Sequence, residues 1–251
     1  GQNTFINDGD RISMRDFGYE IFPNEAGRIS TATSTTGLHT FRKRSGENVV
    51  LRAYDDELEY YSAKVGQWER LKNGYTIGAE FGFADHNTNT DQTSYVYFNN
   101  AVENYSRWNG NVAALTSAVT STATTLLVDD TTLFPASGTV AVCGNPLAYT
   151  SKTATSFAIA AATTTCASGR GVAQVPDEYS AAPKGNLLIV MNTRMFVAGV
   201  TSSTQALFYS KIADATDFTM SSTTVHLVND GGLINMPEGG GSITGMAADE
   251  G

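Results

Sequence analysis

The densest run of potential metal ligands is Asp85-His86-Asn87-Thr88-Asn89-Thr90-Asp91, which offers oxygens at alternate positions, as calcium loops do. Two parts of such a loop are missing. Thr90 stands where a Gly makes the sharp turn, and Val96 stands where a bidentate Glu closes the coordination sphere. Asn and Asp are also default loop residues, so the stretch reads as a plain interstrand connection. Catalysis has less to work with. His39, His86 and His226 fall in three separate predicted elements, and no Gly-x-Ser-x-Gly elbow is present to pair with any of them. His39 and His226 lie in strand-like segments and read as packed or solvated. A glycosidase needs two carboxylates facing each other across a sugar. The tightest acidic group, Asp55, Asp56, Glu57 and Glu59, sits at a predicted hairpin turn and reads as solubilising charge. Gly239-Gly240-Gly241-Ser242 lacks the Lys-Ser/Thr and the helix that would make it a phosphate loop, so it reads as a connector. No catalytic, cofactor-binding or metal-binding residue is assigned, and the expectation is a protein that is not an enzyme and needs no cofactor.

The aromatic residues are the other candidates. Tyr54, Tyr60, Tyr61, Tyr95, Tyr97, Phe98 and Tyr105 cluster on two predicted hairpins. Neighbours such as Tyr60 and Tyr61 point to opposite faces of a strand. One face packs between sheets; the other is more core or a strip that binds sugar or protein. Cys143 and Cys166 are too few for a disulfide framework. They read as small buried residues on neighbouring strands, with a single bridge as the alternative. A net charge of −9 argues against a nucleic-acid surface. The one basic run, Arg42-Lys43-Arg44, precedes Glu47, Asp55, Asp56 and Glu57 and reads as a solvated strand end. No apolar run approaches the ~20 residues that span a bilayer, so neither nucleic acid nor membrane is an expected partner.

The elements that carry these residues are strands. Val49 to Tyr54 is β-branched and aromatic, Asp55-Asp56 turns, and Leu58 to Ser62 returns. A second hairpin runs from Thr93 to Phe98, turns at Asn99-Asn100 and returns to Trp108. A third turns at Asn192-Thr193. The dipeptide Tyr-Ser recurs at Tyr61-Ser62, Tyr105-Ser106 and Tyr209-Ser210, at intervals of 105 − 61 = 44 and 209 − 105 = 104 residues. Residues 111–170 are mostly Ala, Ser and Thr, and removing those 60 residues restores 44. A period of roughly 40–45 residues with about four short strands per unit is the signature of propeller blades. The expected fold is therefore all-β: partial propeller blades with one inserted small β-barrel or sandwich. Its parts are an N-terminal arm over 1–36, blades over 37–110, an inserted β-module over 111–178 and further blades over 179–251. Within the module, strands are expected at 126–128, 139–142, 147–150 and 156–159. Ile77 to Phe83 and Ser242 to Ala248 also read as strands. About two and a half blades leave a sheet edge open, so the propeller is expected to be incomplete without further sequence or a partner subunit.

Three stretches resemble β-propeller virion structural proteins of tailed bacteriophages. The first is Gly37-Leu38-His39-Thr40-Phe41-Arg42-Lys43 through Tyr61-Ser62 and Trp68-Glu69-Arg70-Leu71, with Tyr105 to Gly110 ending the next unit. The second is Lys184-Gly185-Asn186-Leu187 through Val197-Ala198-Gly199, continuing into Phe208-Tyr209-Ser210 and Asp214-Ala215-Thr216-Asp217-Phe218. The third is the insert, with Leu126-Leu127-Val128-Asp129-Asp130, Phe134-Pro135-Ala136-Ser137-Gly138 and Leu147-Ala148-Tyr149-Thr150. The resemblance implies a structural component of the tail, neck or tail tip. It also implies a virion location after assembly in the host cytoplasm, with other virion proteins and copies of the chain itself as partners. The alternative is a secreted carbohydrate-binding or glycan-cleaving propeller.

Overall fold

A computed structural model of the chain describes residues 4–6, 12–14, 35–87, 94–221, 227–236 and 241–247. Among the described residues the fold is all-β and antiparallel, without a helix. Within the stretch expected to be an arm, β1 (Thr4–Ile6) and β2 (Ile12–Met14) pair as a short hairpin. The first large sheet is a meander of β3 (Thr35–Arg42), β4 (Asn48–Tyr54), β5 (Glu57–Ser62) and β6 (Trp68–Asn73). Strand β4 buries Val49, Leu51 and Ala53 at alternate positions, as a half-buried strand must. Its turn falls at Asp55-Asp56, where Asp55 takes a left-handed φ of 50° that a short polar side chain tolerates.

The second sheet begins with β7 (Gly82–Asn87), β8 (Ser94–Asn99) and β9 (Tyr105–Trp108). There the chain departs into a module of β10 (Val112–Ala114), β11 (Thr125–Leu127), β12 (Gly138–Val142), β13 (Asn145–Lys152), β14 (Ser156–Ile159) and β15 (Gly171–Gln174). It then returns as β16 (Asp177–Tyr179), which pairs with β9 and completes the order β16-β9-β8-β7. The third sheet is a meander of β17 (Gly185–Met191), β18 (Arg194–Val200), β19 (Ala206–Tyr209) and β20 (Gly232–Asn235). Its first turn is the expected Asn192-Thr193, with φ of 50° and 63°, the left-handed pair that a two-residue hairpin requires.

The module is a half-barrel in the order β10-β15-β12-β13-β14-β11. Its edge strands meet at the bridge between Leu115 and Val128, where Thr116 N donates to Leu127 O at 3.0 Å. It has a core of its own, in which Phe157 packs 4.7 Å from Tyr149 and 5.0 Å from Phe134, centroid to centroid. Cys143 and Cys166 are bridged across it with their Cα atoms 5.9 Å apart, so they are not the free buried thiols that their number favoured. The turn after β12 and the segment before β15 lie close enough to be linked.

The structure corrects four boundaries. The module's own strands end at Gln174, and Asp177 and Glu178, assigned to the insert, belong to the second sheet. Residues 74–81 are turn and coil, and the expected strand from Ile77 starts only at Gly82. Residues 241–247 carry no strand. Tyr61-Ser62 and Tyr209-Ser210 close the third strand of their sheets, but Tyr105-Ser106 opens β9. Against the first sheet the difference is loop length, two residues between β4 and β5 and five between β8 and β9; the β18–β19 loop is also five residues, so loop length does not separate Tyr105 from Tyr209.

The three large sheets stack face to face, and the alternation of side chains on the second sheet decides the order. Val96, Phe98 and Trp108 join Phe41, Leu51, Leu58 and Tyr60 of the first sheet. Ala84, Tyr97 and Tyr105 join Met195 and Val197 of the third. Strand β7 lies between β3 and β17, and the approach to β17 is so close that a Cβ on Gly82 would stand 1.9 Å from the carbonyl oxygen of Asn186. Gly82→Ala is therefore expected to force the second and third sheets apart at a cost of about 1–3 kcal/mol, the usual range for overpacking. The matched control is Gly245→Ala, where a Cβ meets nothing within 4 Å. Thermal unfolding of both variants checks this, and equal midpoints would contradict the packing.

Candidate functional site

The structure brings together two residues that the sequence keeps 46 positions apart. His39 Nε2 donates to Asp85 Oδ1 at 2.7 Å, and the His39 ring stacks on Phe83 at 5.3 Å. Arg42 N donates to the other carboxylate oxygen of Asp85 at 3.1 Å. Asp85 is thus a strand residue that ties β7 to β3, and both its oxygens are engaged. Residues 88–93, including Asp91, lie outside the described residues, as do His226, Gly239 and Gly240. Among the described residues no group of three or more His, Cys, Asp or Glu is placed to hold a metal ion. His86 is buried, donates from Nε2 to Thr193 O at 3.2 Å and so ties β7 to the hairpin between β17 and β18.

The acidic group at the first hairpin is not simply solubilising charge. Glu59 is only 9% exposed and pairs with Arg52 at 2.6 Å. The Tyr54 hydroxyl donates to Glu57 at 2.8 Å and lies 3.3 Å from Glu59, and Arg70 pairs with Glu57. The Arg52 guanidinium lies 4.0 Å over the Trp68 ring. Burial raises the pKa of Glu59 above its ordinary value of 4.5, and Arg52 opposes the shift. Both carboxylates are engaged by neighbouring side chains. The aromatic residues divide by face, with Tyr60 and Phe98 in the core between the first and second sheets and Tyr97 and Tyr105 in the core between the second and third.

A junction that the sequence did not reveal holds the module to the first sheet. Glu69 on β6 is 2% exposed and accepts from Arg170 Nε at 2.6 Å, from Arg170 Nη2 at 2.8 Å and from Gly171 N at 3.0 Å. These hydrogen bonds hold the Arg170 guanidinium more firmly in its charged form. A Cβ on Gly171 would stand 2.2 Å from the Tyr60 hydroxyl, so only glycine admits β15 this close. Trp108 Nε1 donates to Gln174 O at 2.6 Å and anchors the module's exit strand to β9. The signal was present as a charged pair, but 101 residues separate its partners.

A cleft of about 620 Å³ opens between the second and third sheets and is lined by Val102, Pro183, Lys184, Val200, Phe208 and Phe218 among others. Lys184 Nζ donates to Val102 O at its rim. Among the described residues no carboxylate lines it. Compared with known proteins, the sequence matches no family model and no curated protein significantly.

Two outcomes follow from this geometry. Glu69→Ala removes a buried carboxylate that accepts charge-assisted bonds, and should cost about 1.5–3 kcal/mol. Lys64→Ala removes the exposed Lys64–Asp129 pair at the same junction and should cost about 0–1 kcal/mol. Chemical denaturation separates them, and equal losses would contradict the clamp. The second outcome concerns pH. A carboxyl whose folded pKa is raised favours folding below its unfolded value, and that contribution is lost as pH rises through the folded pKa. Glu59→Gln should therefore gain stability relative to the wild type as pH rises from 4.5. Melting midpoints across that range check it, and parallel curves would contradict it.

Proposed function

We propose that this chain is a non-enzymatic structural component of a tailed-phage particle, a tail, neck or tail-tip assembly protein built as propeller blades with an inserted β-module. Support comes from three four-stranded meanders whose first strands, β3, β7 and β17, run side by side, the radial arrangement of blades. The observation that carries the reading is the use made of the polar side chains. His39, Asp85, Glu57, Glu59 and Glu69 are all consumed in bonds that join strands or sheets. Such a chain is suited to being assembled and not to turnover.

The outer face of the third sheet has the character expected of a blade that awaits a neighbour. Ile234 and Met191 are exposed there, and Met246 and Ala247 of the segment 241–247 line a hollow on the same face with Ile189, Phe196 and Leu207. A propeller closes with at least four blades, so a further blade, from this polypeptide or from a partner subunit, is expected on that face. The Cys143–Cys166 bridge is equally compatible with the alternative of a secreted carbohydrate-binding or glycan-cleaving propeller. Disulfides belong to oxidising surroundings, which include virion surfaces as well as secreted proteins.

The test is labelling of purified particles with an antibody against the module, in parallel with glycan binding and hydrolysis by the isolated chain. Regular labelling at one place on the particle, with no glycan turnover, is the expected result. Unlabelled particles together with glycan cleavage would overturn the reading.

A further inference from the structure

The described cations are almost all spent internally. Eight Lys and Arg side chains pair with carboxylates, and Lys152, Lys184 and Arg194 donate to backbone carbonyls. Arg42 and Arg44 remain, and among the described residues neither guanidinium has a partner. Both are exposed, at or beside the loop between β3 and β4. Among the described residues the nearby carboxylates do not neutralise them, because Glu47 is held by Lys43 at 2.7 Å and Asp85 by His39 and a backbone amide.

Arg44 lines a notch of about 220 Å³ where the first sheet, the second sheet and the module meet, together with Ser45, Ser94, Asn109 and Asn111. Two hydrogen bonds brace its lining. Arg44 N donates to Ser94 Oγ at 2.8 Å, and Asn109 Nδ2 donates to Gln174 Oε1 at 2.9 Å. Its volume falls below the roughly 300–1,000 Å³ of sites that enclose a whole small molecule. It suits one or two side chains of a larger partner.

The complementary feature lies at the other end of β4. Asp55 and Asp56 form the tip of the hairpin to β5, and among the described residues neither carboxylate has a partner. A seven-residue strand separates the two features by about 23 Å. They therefore cannot meet within one molecule.

We infer that the notch at Arg44 receives the Asp55-Asp56 tip of a second copy of this chain. The contact is head-to-tail, so each copy uses its tip on one neighbour and its notch on another, which yields a ring or an open stack. The inference rests on the structural role proposed above and names the surface through which copies associate. Exposed charge pairs are individually weak and are screened by salt. An isolated chain should associate only at high concentration, and association should weaken several-fold as salt is raised.

The test is a charge exchange followed by sedimentation equilibrium at millimolar chain concentration and low salt. Arg44→Glu reverses the notch. Asp55→Asn with Asp56→Lys reverses the tip and keeps a residue type that tolerates the left-handed φ at position 55. The wild type should self-associate, each variant alone should be monomeric, and their equimolar mixture should associate again. Restoration in the mixture requires both variants to be folded, which separates loss of contact from loss of fold. A monomeric wild type, variants that associate as the wild type does, or a mixture that stays monomeric would overturn the inference. So would sulfate binding that depends on Arg44 without any self-association, which would assign the notch to a soluble oxyanion. Particle labelling reads out the structural role separately and is untouched by any of these results.

Discussion

The described fold is organised around a sheet whose inner strands, β8 and β9, are buried on both faces. Side chains alternate along β8, so Val96 and Phe98 enter one core while Tyr97 enters the next. A strand buried on both faces carries hydrophobic residues at consecutive positions, and Tyr95-Val96-Tyr97-Phe98 is such a run. The two flanking sheets need to be apolar on one face only, towards the middle. That is why β4 shows a clean alternation and β8 does not. The polar ties fall at the ends of the same stack. Asp85 reaches back to β3 and His86 reaches forward to the third sheet, one residue apart and on opposite faces.

The same sheet explains how a module can be inserted without loosening the whole. The chain leaves after β9 and returns as β16 on the free edge of β9, so both ends of the excursion are pinned to one strand. Arg107 reinforces the return, pairing with Asp177 at 3.1 Å and lying 5.4 Å over the Tyr179 ring. Glu69 adds a third attachment from the neighbouring sheet. The module is therefore attached to both the first and the second sheet.

What was legible in the sequence follows from which signals are local. The hairpins at Asp55-Asp56 and Asn192-Thr193 were legible because turn chemistry and strand periodicity coincide there. Ser156–Ile159 was legible because it is an isolated apolar alternation between turns. Strand β16 was not, because Asp-Glu-Tyr has no strand signature and forms one only where β9 offers an unpaired edge. Strands β10 and β15 are three and four residues of Val, Ala, Gly and Gln that pair across 57 to 61 residues of sequence, with β12 on the other edge of β15. The polar sites failed for a related reason. Charge at Glu59 and Glu69 reads as surface, and only the partners Arg52 and Arg170 make burial affordable.

The central claim is that the second sheet is the shared core of a three-sheet stack. Native-state hydrogen exchange measures it most directly, because protection reports the opening free energy of each strand. The amides of Val96, Tyr97 and Phe98 should exchange more slowly than those of β3 and β20, and only through global unfolding. Gly82→Ala should accelerate β8 and β18 together. If β8 exchanges as fast as β20, or opens independently of the third sheet, the two-sided core described here is wrong.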